Sequence, residues 1–342
     1  MTLHDEIAEE IKNSGAMPFS RYMDLALYHP SLGFYATGGA GRRRDFITSP
    51  ETGPLFGKLV ATALDRWWSE LGRPTTFNFV EVGAGPGTLA RSILHAEPAC
   101  LKALNYIAVE ISDMQRAQHP SGVTSTKKLP KKLGTGVIFA NELLDNLPFD
   151  LYESGDNGVW NKVCIDLNED SFCETLLVEG DGQKELFGKP QKQYLRIPDQ
   201  IEARRWLRDA LGLLQTGWIV VIDYALESFP APEGHQWLRT YRSHGYGDDP
   251  LKEPGSQDIT ADVDISQLNH VRPISTLYSQ HSWLKGLGIE DFVKEGEELW
   301  LESVAAPDVK AIEARSRGIE AAALLDPMGL GAFKVMEWEI TS

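Results

Sequence analysis

Three glycines at alternate positions follow a short apolar run and precede a stretch with helical spacing. They are Gly83, Gly85 and Gly87, and the acidic residue Glu81 stands two positions before the first of them. Glycines between a strand and a helix permit a tight turn and a close approach of the backbone to a ligand. The spacing is GxGxG, whereas dinucleotide sites use GxGxxG and place a pyrophosphate on the helix N-terminus. The pattern therefore predicts a nucleotide-like ligand that lacks a pyrophosphate.

S-adenosyl-L-methionine meets this description, because it carries a carboxylate, an ammonium and a cationic sulfonium. Glu81 would lie near the cationic methionyl end, and Glu110, which ends the next strand, would accept hydrogen bonds from the two ribose hydroxyls. An NAD site and a tight turn without a ligand are the alternative interpretations of the same pattern. The predicted cofactor-binding residues are Glu81, Gly83, Gly85, Gly87, Thr88, Glu110, Ile111 and Asn141.

Two carboxylates, Glu142 and Asp145, follow a third apolar run at the predicted cofactor edge of the sheet. Paired carboxylates can hold a methyl acceptor through charge-assisted hydrogen bonds and align it with a methyl group. If the segment begins a helix, their three-residue spacing puts both side chains on one face. We predict that these two residues are catalytic and bind the methyl acceptor. Helix capping or contact with the cofactor is the alternative role.

Two long segments outside the predicted core carry polar side chains that would cover this edge. They run from Gly33 to Glu51 and from Phe229 to Asp264, and both contain glycines at which a lid can hinge. We expect them to close over the strand ends and to leave a narrow channel lined by acidic and aromatic residues. Scaffold loops packed outside the helices are the alternative. The predicted substrate and lid residues are Asp45, Ser49, Glu51, Tyr241 and His244.

The elements that must position these residues are four apolar runs of strand length, separated by segments with helical spacing. Each run ends in a polar or acidic residue, as expected where the carboxyl ends of parallel strands form a ligand-binding edge. This alternation predicts an α/β fold of the Rossmann-like class I methyltransferase type, with a doubly wound and mainly parallel sheet. The runs are Phe77–Val82, Tyr106–Val109, Gly136–Ala140 and Trp218–Ile222.

The remaining segments predict additions to this core. Apolar spacing over residues 6–27 predicts N-terminal helices that are interrupted at Gly15 and Pro18. The runs Val159–Leu167 and Phe172–Val178 predict an inserted β-hairpin.

The domain organisation follows from these assignments. We expect an N-terminal helical and lid segment over residues 1–75 and a Rossmann-like methyltransferase domain over residues 76–342. Within that domain, residues 151–200 form the inserted β-hairpin region and residues 229–264 the lid loop. The alternating run Phe333–Ile340 predicts a late strand at the edge of the sheet.

The composition limits the partners. The chain of 342 residues has 49 acidic and 33 basic side chains and a net charge of −16, which argues against nucleic acid as the main partner. No apolar run is long enough to span a membrane, so we expect no membrane insertion. The three cysteines form no CxxC pair, which predicts neither a disulfide framework nor a metal site. With no recognisable leader, we expect a cytoplasmic protein, and an oligomer is possible.

Short motifs along nearly the whole chain match one known family. The matching segments are Gly33-Phe34-Tyr35 and residues 45–51, 81–89, 109–112, 140–148, 238–242, 258–264 and 333–335. On these segments the chain resembles the MidA-like methyltransferases, the family of the mitochondrial complex I assembly arginine methyltransferase and bacterial relatives. The resemblance implies S-adenosyl-L-methionine as the methyl donor. It also implies an exposed arginine of a protein as the acceptor, in a respiratory complex I subunit or an equivalent protein.

The chain departs from the family pattern at several positions outside the predicted cofactor site. The departures are Arg44, Lys58, Asp262 and the hairpin segment 160–163. Two alternatives to a protein arginine methyltransferase therefore stay open. One is a methyltransferase for a small molecule or another side chain, and the other is a cofactor-binding assembly factor with little turnover.

Overall fold

The computed structural model describes residues 1–36, 48–156, 158–178, 187–242 and 245–341. The chain forms two compact units, and each is assembled from three stretches of sequence. The first unit comprises Met1–Phe46, Leu144–Arg208 and Ala225–Pro273. The second unit comprises Ile47–Leu143, Asp209–Tyr224 and Ile274–Ser342.

The helices differ widely in length, and short 3₁₀ turns lie between some of them. Among the helices that the structure describes, none combines the length and apolar character that a membrane crossing requires. The 3₁₀ turns are Ser49–Glu51, Leu144–Asn146 and Leu330–Ala332. The α-helices are α1 (Leu3–Ser14), α2 (Phe19–Tyr28), α3 (Pro54–Glu70), α4 (Thr88–His95), α5 (Asp113–Arg116), α6 (Ile201–Leu213), α7 (Ile265–Val271), α8 (Gln280–Gly286), α9 (Ile289–Ser303) and α10 (Val309–Leu324).

The strands range from two-residue bridges to a ten-residue strand. They are β1 (Met17–Pro18), β2 (Phe77–Val82), β3 (Leu104–Val109), β4 (Thr124–Thr126), β5 (Gly134–Asn141), β6 (Asp150–Ser154), β7 (Trp160–Asn168), β8 (Ser171–Val178), β9 (Arg196–Asp199), β10 (Leu214–Asp223), β11 (Ala225–Leu226), β12 (Leu238–Arg242), β13 (Gly245–Tyr246), β14 (Asp258–Ala261), β15 (Val263–Asp264), β16 (Thr276–Ser279) and β17 (Lys334–Ile340).

The second unit is built on a mainly parallel sheet with the strand order β16-β17-β10-β5-β2-β3-β4. The neighbours from β10 to β4 pair in parallel, whereas β17 runs antiparallel to both β10 and β16. The predicted runs become β2, β3, β5 and β10, which confirms the Rossmann-like α/β fold. Their apolar residues are buried; for example, Phe79, Phe139 and Val220 join one core with residues of α3 and α4.

One expectation about this sheet is wrong. The late strand β17 is not at the edge, because β16 pairs with its outer side. The sequence Thr276-Leu277-Tyr278-Ser279 is short, and its Leu277 is 42% exposed. It therefore lacks the apolar run that identified the central strands.

The first unit contains the N-terminal helices and small antiparallel sheets. Helix α1 begins with a capping box between Thr2 and Asp5 and ends at Gly15, and α2 starts directly after Pro18. This confirms the predicted interruptions at Gly15 and Pro18. Strands β7 and β8 form the predicted hairpin, in a sheet with the order β1-β7-β6-β9 in which β8 pairs with β7.

The region 229–264 is more ordered than the predicted loop. Strands β13, β12 and β14 form an antiparallel sheet in that order, and β15 pairs with β11. All four residues of β14 are buried. The strands are short and separated by glycine- and proline-rich turns, which explains why the composition alone indicated a loop.

Candidate active site

The turn between β2 and α4 contains the three predicted glycines, and each has a positive φ angle. The angles are 72° at Gly83, 53° at Gly85 and 78° at Gly87. Residues with a Cβ rarely adopt this left-handed region, so the backbone path favours glycine at these positions. Thr88 follows as the first residue of α4. The second unit thus contains the tight strand-to-helix turn that the sequence predicts.

Glu110 follows β3 and holds this turn. Its Oε2 accepts a hydrogen bond from the Gly85 N–H at 3.0 Å, and its Oε1 accepts one from the Ser112 N–H at 2.8 Å. An ionised carboxylate has about four acceptor positions, so further donors such as ribose hydroxyls can still bind it. The neighbouring Ile111 is 46% exposed, and an apolar side chain there is suited to pack on a purine ring.

Asn141, the last residue of β5, adds a second group suited to a ligand. Its Nδ2 donates to Glu142 Oε1 at 2.8 Å. Its Oδ1 is buried and has no hydrogen-bond partner among the described residues. A buried carbonyl oxygen without a donor is costly, which favours a bound molecule that supplies one. The acceptor groups around the glycine turn therefore fit S-adenosyl-L-methionine, with Glu110 suited to the ribose and Asn141 Oδ1 to an N–H or O–H donor.

The side chain of Glu81 is buried inside the second unit and does not face solvent. Its side chain is 5% exposed, and the Tyr106 hydroxyl donates to its Oε2 at 2.6 Å. Burial raises the pKa of Glu81 to about 8, although the hydrogen bond from Tyr106 acts in the opposite direction. Glu81 is therefore largely protonated at neutral pH in the free protein. Its predicted contact with the cationic methionyl end stays a prediction.

The segment around Ser49 is anchored to the residue after β5. Thr48 caps the 3₁₀ turn Ser49–Glu51 in a capping box with Glu51. Ser49 is fully buried; its N–H donates to Glu142 Oε1 at 3.3 Å and its hydroxyl donates to Gln280 Oε1 at 3.1 Å. The end of the first predicted lid segment thus lies beside the carboxyl end of β5, within the second unit. The closure of both segments over that edge stays a prediction.

The backbone around Glu142 differs from the expected helix. Glu142 has a φ angle of 52°, and its N–H donates to the Ile222 carbonyl at 2.8 Å. The 3₁₀ turn Leu144–Asn146 begins only after it. The shared face for Glu142 and Asp145 was predicted only if a helix begins here, and that condition is not met, because the backbone of Glu142 is left-handed. Glu142 belongs to the second unit and Asp145 to the first, and their acceptor-binding role stays a prediction.

Asp145 belongs to a buried polar cluster of the first unit. Its carboxyl is 4% exposed, and its Oδ2 accepts from the Thr260 hydroxyl at 2.7 Å. Asp258, which is 1% exposed, accepts at Oδ1 from the Tyr35 hydroxyl at 3.2 Å and from Asn146 Nδ2 at 3.1 Å. Burial raises the pKa of Asp145 to about 6. Burial, with the neighbouring Asp145 charge, raises the pKa of Asp258 to about 7.

The other predicted substrate residues are only partly described. Tyr241 lies in β12 as the cross-strand partner of Asp258. Asp45 and His244 lie outside the described residues. Asp262, one of the departures from the family pattern, forms ion pairs with Arg239 and His235.

Four residues with defined contacts were missed by the sequence reasoning; one of them is His119, whose Nε2 lies 2.9 Å from the Gly85 carbonyl oxygen. Tyr35 and Asp258 stand in matched motifs, which was the available signal, but no role was assigned to them. Gln280 and His119 carry no sequence signal, because their contacts join segments that are distant in the chain. The missed residues are Tyr35, His119, Asp258 and Gln280.

Comparison with known proteins identifies the family. Residues 59–280 match the model of the S-adenosyl-L-methionine-dependent methyltransferases. The mitochondrial protein arginine methyltransferase NDUFAF7 homolog of Drosophila melanogaster is 28% identical over 316 residues, 79% of this chain and 70% of that protein. The mitochondrial protein arginine methyltransferase NDUFAF7 of Homo sapiens is 26% identical over 328 residues, 82% of this chain and 72% of that protein.

A solved structure agrees with this match. The crystal structure of a Burkholderia thailandensis protein bound to S-adenosyl-homocysteine has a TM-score of 0.86 and 26% sequence identity to this chain. The alignment covers 99% of this chain and 92% of that protein. These matches confirm the predicted fold, cofactor and enzyme class. The chain belongs to the family of S-adenosyl-L-methionine-dependent methyltransferases.

Proposed function

We propose that this chain methylates an arginine side chain of a protein substrate. Two curated relatives that align with most of the chain are named protein arginine methyltransferases. The observation that carries the proposal is the segment directly after the apolar part of β5. Within six residues it contains the amides and carboxyls of Asn141, Glu142, Asp145 and Asn146. Carboxyl groups bind a guanidinium through paired, charge-assisted hydrogen bonds.

The chemistry requires these carboxyls, because a guanidinium keeps its proton at neutral pH and its delocalised charge makes its nitrogens poor nucleophiles. S-adenosyl-L-methionine, when bound, supplies a methyl group on a positively charged sulfur. The half-buried Glu142 carboxylate orients the guanidinium and draws its positive charge toward the nitrogens that donate hydrogen bonds to it. It then takes up the N–H proton that the methylated nitrogen loses.

The test is a labelling experiment with the purified chain. S-adenosyl-L-methionine with an isotopically heavy methyl group is added to an extract of cells that lack the chain, and mass spectrometry locates the label. We expect heavy methyl groups on arginine nitrogens. Glu142→Gln keeps an oxygen that can accept from Ser49 and Asn141, so the fold is retained. We expect it to slow labelling by about 100-fold.

The matched control is Glu298→Gln, which changes an exposed glutamate on α9 and should label at the wild-type rate. Binding of S-adenosyl-homocysteine to Glu142→Gln should stay within about twofold, because donor binding and acceptor chemistry are separate. Label on other side chains alone, or on small molecules alone, would overturn the proposal. The cytoplasmic location also stays a prediction, since the curated relatives are named mitochondrial.

A further inference from the structure

The carbonyl of Gly85, in the middle of the glycine turn, is bound by the side chain of His119. His119 Nε2 lies 2.9 Å from this oxygen. Because a carbonyl oxygen only accepts, Nε2 must carry a proton and donate it to Gly85. His119 Nδ1 is buried and has no hydrogen-bond partner in the part of the chain that the structure describes. The geometry thus makes His119 Nε2 the donor to the glycine turn.

The other side of Gly85 is held at the same time. Its N–H donates to Glu110 Oε2 at 3.0 Å, so both polar groups of this glycine are bound by side chains that follow β3. The His119 ring also packs on the turn, because a Cβ placed on Gly87 would lie 3.2 Å from His119 Cδ2. Gly85 has no side chain of its own to fix its orientation.

Glu110 and His119 are linked through hydrogen bonds of Arg116, which lies between them in the sequence. The Arg116 guanidinium donates to the Glu110 and Ile111 carbonyls at 2.6 and 2.8 Å. The His119 N–H donates to the Arg116 carbonyl at 3.1 Å. The segment that carries the predicted ribose-binding carboxylate therefore also carries the imidazole that fixes the turn.

We propose that His119 is a positioning residue of the cofactor site, which keeps the Glu110 carboxylate aligned for the ribose through the backbone of Gly85. If the Gly85 carbonyl loses its donor, the adjoining peptide groups can rotate. The Gly85 N–H can then leave Glu110 Oε2, and of the two hydrogen bonds described for this carboxylate only that from the Ser112 N–H remains. His119 does not touch the ligand in this arrangement; it acts on binding through Gly85 and Glu110.

The first test is calorimetric binding of S-adenosyl-homocysteine to His119 variants. His119→Phe keeps a ring against Gly87 but removes the donor, and we expect affinity to fall about three- to tenfold, the usual effect of one neutral hydrogen bond. His119→Gln restores an N–H donor of similar reach and should recover most of the affinity. His95→Phe is the matched control on exposed α4 surface and should bind as the wild type does. Equal affinity of His119→Phe and the wild type would refute the proposal.

A double-mutant cycle separates positioning from a general structural effect. If His119 acts through Glu110, then His119→Phe should weaken binding much less in a Glu110→Ala background than in the wild type. Additive losses would contradict this route. Nitrogen NMR of the folded protein, without any ligand, provides a second readout. We expect a proton on His119 Nε2, and an unprotonated Nε2 would overturn the proposal even if a variant failed to fold.

Discussion

The protonation of Glu81 makes the stability of the second unit depend on pH. Glu81 is buried next to Tyr106, and its pKa is raised from 4.5 to about 8. The folded protein therefore binds a proton here that the unfolded chain releases above about pH 4.5. The resulting stabilisation is complete below pH 4.5 and is lost as the pH rises through 8. Glu81→Gln removes the titration and keeps a carbonyl oxygen that can accept from the Tyr106 hydroxyl.

The magnitude follows from the two pKa values. The pKa of Glu81 is about 8 in the folded protein, against the ordinary value of 4.5 in the unfolded chain. Over the full titration this difference changes the free energy of unfolding by about 5 kcal/mol, since each pKa unit corresponds to about 1.4 kcal/mol. The chain has a pI of about 5.0, so measurements belong well above that pH. Between pH 6 and pH 8.5 the contribution of Glu81 falls by about 2–3 kcal/mol. The wild type should lose this amount relative to Glu81→Gln over the same range.

The assay is urea unfolding followed by far-ultraviolet circular dichroism at several pH values from 6 to 8.5. The informative quantity is the difference between the two pH slopes, because the new amide N–H of glutamine adds a constant, pH-independent cost. Glu298→Gln, at an exposed position on α9, serves as the control and should keep the wild-type slope. Identical slopes for the wild type and Glu81→Gln would show that Glu81 ionises normally and that its burial does not have the assumed effect.

Three further measurements test other parts of the structure. Glu110→Ala should weaken S-adenosyl-L-methionine and S-adenosyl-homocysteine equally, by about tenfold or more, because both contain the ribose; unequal calorimetric losses would contradict this. Gly53→Ala should lower the melting temperature, since its Cβ would lie 2.2 Å from the buried Glu320 carboxyl carbon; an unchanged melting temperature would refute that contact. Asp258→Asn should reduce the loss of stability as the pH rises from 6 to 8, because the pKa of Asp258 is raised to about 7; urea unfolding across that range measures it.

The fold was predictable where a segment's own sequence determines its environment. Strands β2, β3, β5 and β10 are buried on both faces, so their apolar runs identify them without knowledge of their neighbours. The position of β17 depends on its pairing with β16, which is short and half-exposed. The strands of residues 229–264 were missed for a similar reason. Their stability comes from pairing and burial of β14, and their individual sequences are too short to show a period.

In the candidate site, too, some features follow from the local sequence and others depend on segments that are distant in the chain. The left-handed backbone at Gly83, Gly85 and Gly87 strongly favours glycine, so a sequence pattern alone can reveal the turn. The buried environment of Asp258 arises from segments distant in sequence, including the one that carries Tyr35. The left-handed backbone of Glu142 could not be anticipated either, because it depends on a hydrogen bond to Ile222 in a neighbouring strand.

The raised pKa of Glu81 also offers a test of its predicted place at the methionyl end of the donor. A cation close to this carboxyl would favour its ionised form and lower its pKa. S-adenosyl-L-methionine carries a sulfonium charge that S-adenosyl-homocysteine lacks, so binding of the donor near pH 7 should release more protons than binding of the product. Calorimetry in buffers with different ionisation enthalpies counts these protons. Because the two ligands also differ in their own titration, the excess must disappear in Glu81→Gln. An excess that persists in this variant belongs to the ligand, and the carboxyl of Glu81 then serves only the buried pair with Tyr106.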